Sequence, residues 1–368
     1  MDAKTPQTGP LEGLGWSPER EAAFATLRAD GSIPGRVVSH GRGQLRAETA
    51  VEPVLVIVQR GFRRAASGPE DHPAVGDWLA LEPLGGGSAA LREVLPRSSA
   101  FIRHDAAENG GAQVVATNVD TVLLVSALTR DLNLRRLERY LALAWSSGAE
   151  PIVVLNKADL CDDVPARVAE VAAVVGDARI LVLSARTGIG LDRLQPELAA
   201  GRTLALLGSS GVGKSTITNA LLGAERQLVR EVREDDQRGR HTTSARELFR
   251  LPGGALLIDT PGMRSIGLWE AGEGLETAFG DVEALAASCR FSDCRHEVEP
   301  GCAVRAAVAS GELGEDRLES RRKLMREMAS VERRNSVAQA RAENRRFGRM
   351  IRDACRTQAR LRGRPEGE

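Results

Sequence analysis

Gly208-Ser209-Ser210-Gly211-Val212-Gly213-Lys214-Ser215 fits the pattern G-x-x-x-x-G-K-[ST], with Thr216 next in line. Glycines at these places let successive backbone N–H groups wrap a phosphate, helped by the positive end of the following helix. Lys214 is placed to reach β- and γ-phosphate oxygens, and the Ser215 hydroxyl to ligate Mg²⁺. Asn156-Lys157-Ala158-Asp159 lies about fifty residues upstream. The Asp159 carboxylate can accept the paired N1 and N2 hydrogens of guanine, which adenine lacks, and readout of this kind discriminates by roughly 10⁴. Asn156 can brace the loop and the Lys157 stem can lie over the base. Ser184-Ala185 follows the next apolar run, where a backbone N–H can meet guanine O6. Together the segments point to GTP and GDP rather than adenine nucleotides.

Downstream, Asp259-Thr260-Pro261-Gly262 closes an apolar run. Asp259 is expected to hold Mg²⁺ through water, and the Gly262 N–H to sense the γ-phosphate. Gly239-Arg240-His241-Thr242-Thr243 precedes it in a polar stretch suited to a switch segment. Thr242 or Thr243 completes the Mg²⁺ shell, with Thr243 preferred. Met263 follows Gly262, where many GTPases carry a water-orienting Gln. His241 is therefore a candidate for positioning the attacking water, beside Lys214 as a catalytic group. A second class of function stays open at Met263: an RNA-binding assembly module in which nucleotide only sets affinity.

Cys289, Cys294, His296 and Cys302 form C-x₄-C-x-H-x₅-C. Four soft or borderline donors in so short a span suit a closed, structural Zn²⁺ site, which supplies roughly 10–16 kcal/mol of folding free energy in zinc-finger peptides. Cys161 and Cys355 stand apart, and the odd count argues against a disulfide framework.

These residues need elements to hold them. From Asn118 onward, strand patterns alternate with helix patterns: Thr121–Ser126, Pro151–Leu155, Arg179–Ser184, Thr203–Leu207 and Ala255–Asp259 read as strands. Leu132–Trp145, Pro165–Val175, Leu191–Ala199 and Lys214–Leu222 read as helices. That alternation predicts a mostly parallel, doubly wound sheet. Between Gly35 and Pro96 the pattern is one of short β-runs and glycine-rich turns, predicting a small β-barrel; an SH3-like barrel would give the same pattern, so the runs do not fix its topology. Ser17-Pro18 reads as a helix start, and residues from about Asp316 to Arg362 as a long helical stretch.

The chain has 368 residues, with 50 basic and 50 acidic side chains. The last 48 residues hold fifteen Arg/Lys against six Asp/Glu, a net +9 suited to an anionic partner such as RNA. No segment reaches the ~20 apolar residues of a membrane-spanning helix, and the N-terminus has no signal-peptide pattern. A soluble, cytoplasmic monomer without membrane contact is expected.

With these parts in this order the chain resembles the ribosome small-subunit-dependent GTPase A (RsgA/YjeQ) family. The resemblance rests on Asn118-Val119-Asp120, Asn156–Asp159, Gly208–Ser215, Gly239–Thr243, Asp259–Gly262 and the Cys/His cluster. It implies a multidomain α/β chain: an N-terminal extension over 1–32 and an OB-fold RNA-binding barrel over 33–112. A circularly permuted P-loop GTPase domain over 113–272 and a zinc-binding helical domain with a basic tail over 273–368 complete it. It further implies late maturation of the small (30S) ribosomal subunit, contact with its rRNA, and stimulation of GTP hydrolysis by the particle. Arg42, Arg60, Arg63 and Arg64 are the barrel's candidate RNA contacts, with Phe62 and Trp78 as sparse stacking aromatics. Because the guanine-reading motif precedes the phosphate loop, the switch at Asp259–Gly262 is expected to feed directly into the zinc segment.

Overall fold

The protein is described here by a computed structural model covering residues 11–28, 30–41, 43–65, 71–104, 112–129, 132–223, 246–259, 272–330 and 333. The segment 239–243, Thr260 to Met263, Cys355 and the basic tail beyond residue 330, except 333, lie outside the described residues.

Five strands, β1 (Ile33–Gly41), β2 (Gln44–Thr49), β3 (Pro53–Ile57), β4 (Trp78–Gly85) and β5 (Ser88–Val94), close a barrel in the order β1-β2-β3-β5-β4-β1. The β3–β5 pair is parallel and the others antiparallel. A short helix, α2 (Arg60–Ala65), sits between the third and fourth strands. This is the OB-fold arrangement, which settles the topology that strand-like runs left open. The interior is filled by Val37, Leu45, Ala47, Val54, Val56, Leu79 and Leu81, supplied by alternate residues of each strand. Trp78 also belongs to this core. It is 1% exposed and packs edge-to-face on Trp16 at 4.7 Å, so it offers no surface for base stacking. Arg60 is exposed; Arg42 and the side chains of Arg63 and Arg64 are not described.

Ser17 caps α1 (Pro18–Arg28) as its position before Pro18 predicts, accepting from the Arg20 N–H at 3.4 Å. The barrel leads into a hairpin, β6 (Ala100–His104) and β7 (Ala112–Thr117).

The second sheet region runs β10-β9-β8-β11-β13-β12, from β8 (Thr121–Ala127), β9 (Glu150–Asn156), β10 (Arg179–Val182), β11 (Thr203–Gly208), β12 (Arg246–Arg250) and β13 (Leu256–Asp259). All pairs are parallel except β12–β13. Its central strands are near-continuous apolar runs because both faces are covered. Val122 and Leu124 join one cluster with Leu137 and Leu141 of α3 (Leu134–Ser147) and with Val171 and Val175 of α4 (Val164–Val175). Leu123 and Val125 face the other cluster, with Ile217 of α5 (Lys214–Leu222). Leu191–Leu198, expected as an ordinary helix, is a 3₁₀ stretch containing Pro196. The chain enters this sheet at its centre, winds to the β10 edge, and returns to the centre at β11 before building the β13–β12 side. That path is the permutation which the motif order predicts.

The β12 strand pairs on its outer side with β1, joining the barrel and the GTPase sheet into one eleven-stranded sheet. Buried Arg36 pins this junction. It donates to the carbonyls of Gly76 (3.2 Å), Asn118 (3.1 Å) and Leu14, and to Thr203 Oγ1 (2.9 Å), at the first residue of β11.

Beyond the GTPase sheet come α6 (Gly272–Ala278), α7 (Gly280–Ala286), α8 (Ala303–Ser310) and a helix α9 over 315–330. The α6 backbone lies hard against α3: a Cβ on Gly274 would stand 2.3 Å from the Ala142 carbonyl oxygen. Arg317, on α9, reaches Glu138 Oε1 on α3 (2.6 Å), Asp281 (2.9 Å) and the carbonyls of Val174 (3.2 Å) and Ala278 (2.6 Å). It also covers the Phe279 ring at 4.2 Å. Among the described residues no helix is long and apolar enough to cross a membrane.

Candidate nucleotide site and metal centre

Three loops at the carboxyl ends of parallel strands converge, the usual place for a ligand in an open α/β sheet. The first follows β11. Gly208 brings its backbone so close to β8 that a Cβ would lie 2.3 Å from the Val125 oxygen. Gly211 and Gly213 hold φ of 78° and 97°, a left-handed backbone that curls the loop before α5 begins. Lys214 Nζ donates to the Gly208 carbonyl at 2.7 Å and to the Ser209 carbonyl, lying across the mouth of the loop. Ser210, Ser215 and Thr216 are exposed around it, while Val212 is buried beneath.

The second loop follows β9. Asn156 is buried, and its Nδ2 donates to the Val212 carbonyl (2.9 Å) while its Oδ1 accepts from the Ala185 N–H (3.0 Å). One amide side chain thus ties the second loop to the first and the third. Lys157 takes φ 64°, unusual outside glycine, and turns the chain into a short 3₁₀ segment, Ala158–Leu160, on which Asp159 stands exposed. The third loop follows β10. Ser184 is fully buried; its Oγ accepts from the Thr187 N–H (3.3 Å) and its own N–H bonds the Ile189 carbonyl, fixing a tight turn at Ala185.

Asn156, Lys157, Asp159, Ser184, Ala185 and Gly208 to Thr216 are therefore gathered at one end of the sheet. Asp259 ends β13 on the same side, paired through its backbone with Glu247. His241, Thr242, Thr243 and Gly262 lie outside the described residues. One side chain at this site is absent from the motif reading: Arg136, in the first turn of α3, donates from Nη1 to Ser209 Oγ at 2.6 Å. Asn133 sets its place by capping α3, accepting from the Arg136 N–H at 2.9 Å. The available signal was an Asn cap with Arg three residues on, which by itself marks only a helix start.

The cysteine cluster forms a second centre. Cys289, Cys294, His296 and Cys302 present donor atoms all within 4.8 Å of one another. A tetrahedral Zn²⁺ with Zn–S of ~2.3 Å and Zn–N of ~2.0 Å requires S···S of ~3.8 Å and S···N of ~3.5 Å. Cys289 and Cys302 sulfurs lie 3.8 Å apart, and His296 Nδ1 lies 3.6 and 3.4 Å from them. The donor set and spacing fit that ion. Desolvation, with the neighbouring Cys302 and Cys289 sulfurs, pushes the Cys294 thiol up to about 11 against a backbone hydrogen bond from His296. Thiolates crowded in this way call for a cation. His296 holds φ 60°, and Arg322 of α9 donates to its carbonyl. The Glu299 carboxylate knots the intervening loop, accepting from the N–H groups of Arg295 (3.1 Å), Glu297 (2.8 Å) and Val298 (3.0 Å). Its own N–H first, and then those three donors, hold Glu299 down to about 2.

Comparison with known proteins agrees with this architecture. Residues 94–269 match the family model described as RsgA GTPase. Proteins named small ribosomal subunit biogenesis GTPase RsgA are similar along most of the chain. That of Streptomyces coelicolor is 46% identical, over 90% of this chain and 90% of its own length. That of Methanosarcina acetivorans is 44% identical over 91% and 90%, and that of Opitutus terrae 44% over 97% and 100%. Among solved structures, YjeQ from Thermotoga maritima superposes with a TM-score of 0.61 at 28% identity, covering 81% of this chain and 99% of that one. YloQ, titled a circularly permuted GTPase, has a TM-score of 0.57 at 24% identity, covering 81% and 96%. With its permuted sheet, OB barrel and Cys₃His cluster already in place, the chain belongs to the RsgA GTPase family.

Proposed function

We propose that this chain hydrolyses GTP to GDP and phosphate on the small ribosomal subunit, during that subunit's late maturation, and that the particle stimulates turnover. The observation that carries the guanine reading is the Asn156 side chain, which joins the phosphate loop at Val212 to the base loop at Ala185. Asp159 reads the base edge, Lys157 covers the base, and the Ala185 N–H meets guanine O6. Backbone N–H groups from Ser209 to Ser215 hold the phosphates with Lys214. Ser215 and Thr243 would ligate Mg²⁺, with Asp259 behind, and the ion would offset phosphate charge. His241 is the residue we assign to water positioning, since Met263 has no group to orient water. A His241→Ala variant that binds GTP and turns it over at the parent rate removes His241 from the mechanism.

Cys289, Cys294, His296 and Cys302 hold one structural Zn²⁺, since protein donors fill all four positions. The barrel at 33–112 meets rRNA through backbone electrostatics, because buried Trp78 offers no stacking face. The GTPase unit spans 113–272 and the zinc unit 273–368, and the chain works as a cytoplasmic monomer. Loss of the γ-phosphate at 259–262 is transmitted to the zinc unit, for which α6 on α3 is the direct route. The other reading, a nucleotide-gated RNA-binding module with incidental hydrolysis, draws its support from Met263.

GTP turnover measured alone and with purified small or large subunits separates them. Stimulation by small subunits only is the expected result. Nucleotide-dependent binding without stimulation favours the gated module, and binding to neither subunit in any nucleotide state defeats the ribosomal reading.

A further inference from the structure

Two cations converge on one residue of the phosphate loop. Lys214 Nζ donates to the Ser209 carbonyl, and Arg136 Nη1 donates to the Ser209 hydroxyl at 2.6 Å. Lys214 belongs to the loop itself, whereas Arg136 comes from the first turn of α3, 73 residues before Ser209. The helix that carries Arg136 is held on several sides. Asn133 caps it, Leu137 and Leu141 bury its inner face, and Glu138 bonds Arg317 of α9 at 2.6 Å. Arg135, turned by about 100° about the helix axis from Arg136, donates to Asp316 (3.3 Å) and Glu319 (2.7 Å) at the start of α9. The sheet and α9 therefore fix the helix, while the exposed Arg136 side chain keeps its own rotatable bonds. Its guanidinium can pass from the Ser209 hydroxyl to a phosphate oxygen lying on the backbone N–H groups of the same loop. Guanidinium forks match phosphate oxygens geometrically.

In GTP hydrolysis the water oxygen bonds to the γ-phosphorus as the bond from that phosphorus to the β–γ bridging oxygen breaks. The electron pair leaves with GDP, and the proton of the water passes to the phosphate formed. Negative charge grows on the bridging oxygen and spreads over the three γ-oxygens. Orienting the water, the role assigned to His241, does not answer that charge, and Met263 carries none of its own. We propose that Arg136 is a catalytic residue of this chain: its guanidinium reaches the γ-phosphate and the bridging oxygen and stabilises the charge that develops there, as an arginine supplied in cis. The proposal rests on the hydrolytic reading above. An interaction that strengthens only as the charge develops raises kcat and leaves GDP affinity near its ordinary value. Because α9 grips the same helical turn through Arg135, contact of the zinc unit with a small subunit has a direct path to Arg136.

The test uses zinc-loaded full-length protein, with GTP, GDP, and GDP plus aluminium fluoride as probes. Phosphate release in a single turnover follows the chemical step. Arg136→Ala is expected to slow it by about 10- to 100-fold while GDP affinity stays within about twofold of the parent. Aluminium fluoride, which mimics the transferring phosphoryl group, should tighten GDP binding in the parent far more than in Arg136→Ala. Added guanidinium ion should restore part of the lost rate, and Arg136→Lys should fall between the parent and the Ala variant. An arginine that merely held the loop would give neither result. A parent rate in Arg136→Ala overturns the proposal. So does a loss of rate matched by an equal loss of GDP affinity and not rescued by guanidinium, because Arg136 then acts only on the shape of the loop through Ser209. A parent protein that binds GTP but releases no phosphate, alone or with small subunits, defeats the hydrolytic reading as well.

Discussion

Asn156 and Gly213 share the same few ångströms. The Asn156 Nδ2 that donates to the Val212 carbonyl lies 2.2 Å from where a Cβ on Gly213 would stand. Gly213 also holds a φ of 97°. A side chain here displaces the amide and, with it, the bond that fixes Ala185. Gly213→Ala is expected to cost about 1–3 kcal/mol from the backbone alone and to weaken GDP binding by about tenfold or more. Fluorescent-nucleotide titration beside denaturant unfolding checks both; parent affinity would remove Asn156 from its linking role.

Arg136 brings a permanent positive charge to Ser209, at the mouth of the phosphate loop. A hydrogen bond between this group and a phosphate would contribute roughly 1.5–3 kcal/mol. Arg136→Ala should therefore reduce kcat/KM for GTP by about 10- to 100-fold, with stability nearly unchanged because the side chain is exposed. Stopped-flow measurement should place the loss in kcat if the contact tightens during hydrolysis, and in KM if it serves only binding. A variant that turns over at the parent kcat/KM would confine Arg136 to holding Ser209.

The buried pair Arg317–Glu138 fastens α9 to α3, at 2.6 Å. Arg317→Met leaves Glu138 buried without its partner and is expected to destabilise the fold by about 3 kcal/mol, most of it recovered when Glu138→Leu is added. Burial already raises the Glu138 pKa, opposed by Arg317. The folded state therefore holds this proton more tightly than the unfolded chain, and a raised carboxyl loses stability as pH rises through its folded value. The Arg317→Met penalty should shrink between pH 7 and pH 5 in denaturant titrations. A penalty constant across that range would mean that Glu138 is not the group left unpaired.

Glu299 offers a pH signature of the opposite sign. Its folded pKa of about 2 lies below the ordinary 4.5. The loop gains stability that is complete above 4.5 and is lost as pH falls toward 2. Carboxyl NMR titration should give a midpoint near 2 for Glu299 in the metal-loaded protein. An ordinary midpoint would show that the Arg295, Glu297 and Val298 amides do not hold it.

Metal removal should act locally. A strong chelator, or Cys302→Ser, is expected to abolish metal retention and raise amide hydrogen exchange between residues 289 and 310. Exchange in β8 and β11 should stay near parent levels, since Leu123, Val125, Leu204 and Leu206 pack into the cluster that holds no residue of the metal segment. Metal analysis should return one zinc per untreated chain.

The nucleotide motifs and the cysteine cluster were legible because each packs its chemistry into a few adjacent residues. The buried parallel strands were legible because both their faces are apolar. Strands β2 and β12 were not. Arg246–Arg250 buries only Leu248, and its place depends on pairing with β1, some two hundred residues earlier. Gln44–Thr49 alternates correctly but through Leu45, Ala47 and Thr49, a weak apolar signal. Arg136 and Arg317 were equally hidden. An arginine on a helix reads the same whether it meets water, a phosphate loop or a buried glutamate.

An outermost β-strand normally offers a row of unsatisfied N–H and C=O groups that can template self-association. In this molecule β1 covers β12, so the barrel acts as a built-in guard against aggregation as well as a docking module. A chain trimmed to the GTPase unit should consequently form oligomers through β12, and the barrel would have to be retained in any soluble minimal enzyme.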